Sequence, residues 1–415
     1  MEVSSGYKQS EVGVIPEDWE CASIANVARL ESGHTPSKRM PSYWGGTVHW
    51  VSLHDSQSLD GPGISATART ITEDGLSNSS ARLLPQGTVV FSRTATVGKV
   101  TVLDSPMATS QDFANYICGP KLHNHFLVYL FRSMGRTWQG LMAGSIHNTI
   151  YMPVFKALKI VLPPVSEQRE IAAALSDIDA LLACLDRLIS KKRDLKQAAM
   201  HQLLTGQIRL PGFQGEWAVK RLGELGTTYG GLTGKSKADF GTGTARYVTF
   251  MNVMTNTVID CSAFEAVCVS PAENQNSVEP GDLLFNGSSE TPEEVALCSL
   301  VPHDVHNLYL NSFCFGFRPR MEAVMDGLFL TYYIRSAEGR EIMRSLAQGS
   351  TRNLSKKALL AAEVRVPSLR EQLAIAGTLS DMDAELTALQ ARRDKTRALK
   401  QGMMQELLTG RTRLV

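Results

Sequence analysis

A membrane-spanning helix needs about 20 consecutive apolar residues, and this sequence contains no such run. The first residues, MEVSSGYKQSEVGV, have neither a basic start nor an apolar stretch of signal-peptide type. Both absences point to a cytoplasmic protein with no membrane partner. Cysteine is scarce: the seven residues are an odd number and form no C-x-x-C pair. That fits neither a disulfide framework nor a Cys-ligated zinc site, and predicts reduced, mostly buried thiols. An excess of charge is missing too. Lys and Arg number 42 against 41 Asp and Glu, a net charge of +1. This balance argues against bulk electrostatic gripping of nucleic acid and leaves open a local reading of DNA.

Catalytic signatures are also absent. There is no H-E-x-x-H, no G-x-S-x-G and no Asn/Asp-Pro-Pro-aromatic motif. GGLTGKS at 230–236 is one residue short of a P-loop, because Tyr229 stands where its first glycine belongs. His303 and His306, and the trio His49, His54 and Asp55, lack a third ligand at metal spacing, so no metal site is expected. Asp177 and Asp179 fall on different helical faces and cannot act as a carboxylate pair; they either favour the helix electrostatically or bind a partner.

What is present is a repeat. The 415 residues, 43% of them apolar, suffice for two domains. Shifting the chain by 204 residues lays Glu167–Leu210 on Glu371–Leu414 without a gap, and about half the positions are identical. Ile171, Leu175, Ile178, Leu182, Leu185 and Ile189 alternate steps of four and three, the spacing of one helical stripe. Ile375, Leu379, Met382, Leu386 and Leu389 repeat it. Continuation lands on Arg393, predicting a phase shift carried on by Leu399, Met403 and Leu407, with Leu188 and Leu195 in the first copy.

Ser368 and Glu371 read as a capping box, with Pro163, Pro164 and Ser166 at the other start, and Gly206 and Gly410 mark left-handed ends. Each helix is thus nearly 40 residues, too long and narrowly apolar to stand alone, and the other copy is the natural partner. The alternative is two separate surface helices. The kept pairs Leu195/Leu399, Lys196/Lys400, Met200/Met404 and Leu203/Leu407 suggest equivalent docking faces.

The segments before the helices echo one another more faintly. IPEDWECASIANV resembles FQGEWAVKRLGEL, PQGTVVFSRTATVGKV matches EPGDLLFNGSSETPEEV, and each segment closes on a Gly-Ser loop and a short apolar strand. The expected fold class is α+β: two globular α/β domains in tandem, each followed by a long helix, the helices pairing as an antiparallel coiled coil with pseudo-two-fold symmetry. The expected boundaries are 1–163 and 211–367 for the domains and 164–210 and 368–415 for the helical regions.

Two globular units, each followed by a helix with EQ-x-x-IA-x-x-LSD-x-D and LLTG-x-x-RL, closely resemble the specificity subunit of Type I restriction-modification systems. The resemblance covers essentially the whole chain. It implies two target-recognition domains, each reading half of a bipartite double-stranded DNA target, and helices that set the spacer and dock two methyltransferase subunits. It implies no catalysis and no cofactor in this chain. S-adenosylmethionine, ATP and Mg would be bound by the methyltransferase and restriction/translocase partners. An approximate two-fold axis would match that of a duplex. The alternatives are the recognition moiety of a Type II-like or orphan system, and a coiled-coil protein scaffold that binds no DNA.

Reading DNA requires polar side chains on loops. The candidates in the first domain are Lys38, Arg39, Arg93, Thr94, Thr96, Lys99, Ser145, His147 and Asn148. In the second they are Lys235, Ser236, Lys237, Asn286, Ser288, Ser289, Thr351, Arg352, Asn353, Lys356 and Lys357. Arg93, Arg352, Asn148 and Asn353 have the bidentate chemistry for base edges. The glutamates of NGSSETPEE repel phosphate, so that loop either reads bases or lies off the DNA. Lys191, Lys192, Arg193, Lys395 and Arg397 face either the DNA between half-sites or solvent and partners.

Overall fold

The computed structural model describes residues 5–142, 148–291, 294–320, 325–347 and 352–414. Its contacts form two units, Met1–Asp186 with Ala391–Val415, and Arg187–Gln390.

In the first unit a four-stranded antiparallel sheet runs Ala28–Ser32, Phe113–Cys118, Val89–Ser92, Val100–Val102 across its width. Side chains alternate between the faces of a strand, and here both faces are covered. Val89 and Phe91 join an aromatic core with Tyr116, Phe131, Trp138 and Phe155. Val90 joins Leu59, Ile64, Leu84 and Phe113 on the other side. A smaller sheet centres on Trp44–Val51, antiparallel to Thr70–Ile71 and parallel to Ala108–Thr109. Lys159–Leu162 pairs antiparallel with Glu20–Ser23 and leads into the first long helix.

The second unit repeats the plan. Its main sheet runs Gly226–Gly230, Cys314–Pro319, Leu283–Asn286, Cys298–Leu300, and Phe240–Val248 is antiparallel to Glu265–Val267 and parallel to Leu308–Leu310. Leu283 and Phe285 face one core and Leu284 another, the same alternation. Ala218–Arg221 pairs with Glu363–Val366 before the second long helix.

The long helices are Val165–Leu204 and Leu369–Leu407, 40 and 39 residues, about 60 Å each at ~1.5 Å per residue. Among the described residues, no helix is long and apolar enough to cross a membrane. Ion pairs give their relative direction within each unit. In the first, Glu167 meets Arg413, Asp179 meets Lys400 and Asp186 meets Arg393. In the second, Lys192 meets Glu385, Lys196 meets Asp383 and Arg209 meets Glu371. As one number rises its partner's falls, which is antiparallel pairing.

The ends of the stripe enter the globular cores and its middle is partly covered. Ile171 and Leu175 join the first aromatic core, and Ile375 and Leu379 join the core of the second unit. Leu185, Ile189 and Leu386 are buried, while Ile178, Leu182, Met382 and Leu389 are half-buried. The expected phase shift holds only in part: Met403 and Leu407 pack into the first unit's core, while Leu188, Leu195 and Leu399 are 37%, 47% and 57% exposed. Lys192, Lys196, Arg393 and Lys400 make ion pairs along this part of the helices instead. Met200, Leu203, Met404 and Leu407 pack into the cores, so of the suggested docking pairs only Leu195 and Leu399 present an open apolar surface.

Helix ends follow local chemistry. Gly206 and Gly410 take φ of +73° and +71°, the left-handed region that favours glycine. Ser166 lies inside the first turn and is no cap. The Ser368 hydroxyl accepts the Glu371 N–H at 3.4 Å, but the Glu371 carboxylate is taken by Arg209, so the capping box is only half made. All seven cysteines are free thiols. The expectation that most are buried fails: only Cys298 and Cys314 are, and Cys184 and Cys268 are exposed.

Candidate nucleic-acid interface

In each unit three loops are laced together by the same two backbone bonds. The Arg93 N–H donates to Asp112 O at 3.0 Å, and the Ile150 N–H donates to Arg93 O at 2.9 Å. In the second unit Gly287 N–H donates to Phe313 O at 3.0 Å, and Leu354 N–H to Gly287 O at 3.0 Å. Thr94 bridges Thr149 in the first, while Ser288 and Ser289 pair with Asn353 and Arg352 in the second. The backbone is shared and the side chains differ: arginine against glycine, aspartate against phenylalanine.

A fourth loop is pressed against this junction through a glycine. A Cβ on Gly33 would lie 2.2 Å from Ser110 O, and one on Gly231 2.1 Å from Asn311 O, so neither position tolerates a side chain. Gln111 ties the first unit's loops together. Its side chain accepts the Thr35 hydroxyl at 2.5 Å and its carbonyl accepts Arg93 Nε at 3.0 Å.

The backbone is strained here. Ala95 and Asn148 have φ of +59° and +48°, and Ala296, beyond the second unit's polar loop, has +56°. Side chains held in this region cost on the order of 1–3 kcal/mol each and cluster at functional loops.

The sequence candidates divide into outward and inward groups. Lys38, Arg39, Asn148, Lys237, Asn353, Lys356 and Lys357 are exposed. Arg93 is turned inward, its guanidinium also donating to Ile150 O at 3.2 Å. Thr96 shares a hydrogen bond with Ser92 at 2.9 Å, and Thr94 offers its carbonyl to the same serine. Lys99 donates to Ser56 O at 2.9 Å and Asp60 at 2.7 Å.

In the second unit Lys235 is only 6% exposed in its side chain and is held by Glu273 at 2.6 Å. Ser236 bonds Asp239, capping a short turn. Asn286 is fully buried and donates to Ser288 O and Glu294 O, so it shapes the loop and cannot reach a base. Ser289 donates to Glu294 at 3.2 Å; that glutamate braces the loop. Ser288 is half-buried on its short strand. Ser145, His147 and Thr351 lie outside the described residues, and Arg352 is placed by its backbone alone.

Charge is locally organised. Lys235, Gln275 and the Ser270 N–H hold the Glu273 carboxyl down at about 2. Behind the sheet Asp282 is fully buried, accepts Tyr229 at 2.6 Å and Arg318 at 2.8 and 2.9 Å, and burial pushes the Tyr229 phenol far up. GGLTGKS follows a strand and runs into a three-residue turn and a further strand, with no α-helix N-terminus to hold phosphate. Among the described residues no group of three His, Cys, Asp or Glu is placed to hold a metal.

Sequence reasoning missed the third loop, Gln111, Asp112 and the 68% exposed Phe313. The signal was available in Gly33 and Gly231, glycines just past a strand that mark close backbone approach.

The sequence profile described as Type I restriction modification DNA specificity domain matches twice, at residues 16–191 and 214–396. The chain belongs to this family. The specificity subunit of the Type I restriction enzyme MjaIX of Methanocaldococcus jannaschii is 28% identical over 239 residues, 53% of this chain and 54% of the relative. That match spans about half the relative's length. The putative MjaX specificity subunit of the same organism is 23% identical over 98% of this chain and 97% of its own. The solved Type I system S subunit from M. genitalium shares the fold, with a TM-score of 0.58 at 17% identity, covering 98% of each chain. Each profile match takes in one of the two loop junctions of this specificity-family chain.

Proposed function

We propose that this chain is the sequence-reading subunit of a Type I restriction-modification assembly in the cytoplasm. Each three-loop junction reads one half of a bipartite duplex target, and the helices hold the spacer and dock two methyltransferase subunits. The observation that carries this reading is one backbone junction built twice with different side chains, the form expected of two readers of different sequence. Lys38, Arg39, Lys237, Lys356 and Lys357 serve phosphates; Asn148, Asn353 and Arg352 serve base edges. Lys99 and Lys235, bound internally, hold loops.

The helices supply what is constant. Leu195 and Leu399 are exposed at equivalent positions, and the exposed Arg193 and Arg397 have no partner among the described residues. Beside them each unit has a groove of matching residues: Arg132, Arg397, Lys400 and Met404 in one, Arg335, Arg193, Lys196 and Met200 in the other. One kind of partner, bound twice, fits this duplication. In this reading S-adenosylmethionine, ATP and Mg, together with methylation, translocation and cleavage, belong to methyltransferase and restriction subunits.

The test is a gel shift of the chain with its methyltransferase, using specific and competitor duplexes across a salt series. Non-specific binding should fall steeply with salt while preference for one bipartite sequence persists. No sequence preference at any salt would leave a protein scaffold as the better description.

A further inference from the structure

One tyrosine, one aspartate and one lysine from three separate segments meet in each unit. Tyr129, on the helix Asn124–Ser133, donates its hydroxyl to Asp179 at 2.9 Å. Lys400 of the second long helix reaches the other oxygen of Asp179 at 2.6 Å, its ammonium 5.8 Å from the Tyr129 ring centroid. In the second unit Tyr332, on Gly327–Arg335, donates to Asp383 at 2.7 Å. Lys196 of the first long helix pairs with Asp383 and lies 5.4 Å from the Tyr332 ring. Each triad thus joins a recognition domain to both long helices.

The surroundings hold each triad to its sheet. Arg132 stands 3.7 Å from Asp179 and donates to the carbonyls of Asp60, Gly61 and Val100. Arg335 does the same for Cys298, Val253, Met254 and Asn256. Burial and the neighbouring carboxylate push both phenols well above their ordinary range, which keeps them as hydrogen-bond donors.

Partly buried charges are a poor source of net stability, since apolar side chains of the same volume do as well; their best-attested use is to specify register. A stripe of leucines and isoleucines tolerates sliding by a turn, because one apolar contact replaces another. The triads do not tolerate it. On each helix the aspartate and lysine are 17 residues apart, Asp179 to Lys196 and Asp383 to Lys400. A slip of one turn, about 5.4 Å, parts both ion pairs at once and strands the carboxylates under the tyrosines.

We infer that Tyr129–Asp179–Lys400 and Tyr332–Asp383–Lys196 are register pins that fix the spacer length between the two half-sites. They are positioning residues and touch no DNA. The inference rests on the bipartite reading proposed above.

The test is methylome sequencing of cells carrying the full-length chain with its methyltransferase. Wild type should show one two-part motif with one spacer length. The double variant Lys196→Met/Lys400→Met should keep both half-sites while methylation at sites one or two base pairs longer or shorter rises about tenfold, as expected for losing coupled contacts. Lys196→Arg/Lys400→Arg should restore the single length. Methylation by the Met variant at the wild-type spacer alone, at any yield, overturns the pins. If the Met variant is inactive, Tyr129→Phe/Tyr332→Phe, which removes only the hydroxyls, decides in the same way. A wild type with no two-part motif would instead overturn the functional reading itself.

Discussion

Arg413 donates to both carboxylate oxygens of Glu167, at 2.7 and 2.8 Å, across 246 residues of sequence. Trp19 Nε1 adds a third bond to that carboxylate at 2.9 Å. Arg209 grips Glu371 in the second unit in the same way. The two ends of the repeated motif, its opening glutamate and closing arginine, thus exist to meet each other. Because the Glu167 side chain is only 1% exposed, Arg413→Ala leaves a buried charge without its main partner. It should cost on the order of 3 kcal/mol in urea unfolding, and Glu167→Gln added to it should recover part of the loss.

Acid should act on the second unit through Glu273. A carboxylate held down at about 2 stabilises the fold above the ordinary carboxylate range and loses that contribution as pH falls through its lowered folded value. Lys235→Met should therefore lower the melting temperature at neutral pH. The gap to wild type should close between about pH 4 and about pH 2.

Ala296 and Gly98 occupy the same place, each donating its N–H back to the last residue of a main-sheet strand, Asn286 at 3.3 Å and Ser92 at 3.2 Å. Both have positive φ, +56° and +97°, but only one is glycine. Ala296→Gly relieves left-handed strain but removes a fully buried methyl and frees the unfolded chain, so the opposing effects should leave stability within about 1 kcal/mol of wild type. Gly98→Ala should lower it. Thermal melts of both variants check the two outcomes.

Gly33→Ala and Gly231→Ala should each displace one recognition loop and leave the other unit untouched. Binding to duplexes altered in one half at a time reads this directly. Each variant should lose discrimination in one half only, and a different half in each case.

The helices were legible because an apolar period near 3.6 and a constant offset are properties of sequence alone. Which flank of the stripe meets a partner is not. Leu188, Leu195 and Leu399 fit the period as well as Ile189 does and still face outward, because charged pairs settle the register. The loops were legible as places but not as contacts. Arg93, Lys99, Lys235 and Asn286 have the chemistry to read DNA, yet a carbonyl or carboxylate nearby in space and distant in sequence turns each inward. Gln111 and Phe313 escaped notice because backbone bonds, which leave no mark on residue type, bring their loop to the junction.

The most direct measurement is single-molecule methylome sequencing of cells carrying the intact system. It should compare this chain with one whose residues 211–370 come from another family member. A two-part motif in which the exchange rewrites one half and preserves the other is the predicted result. A motif in which both halves change, or neither does, would contradict the account.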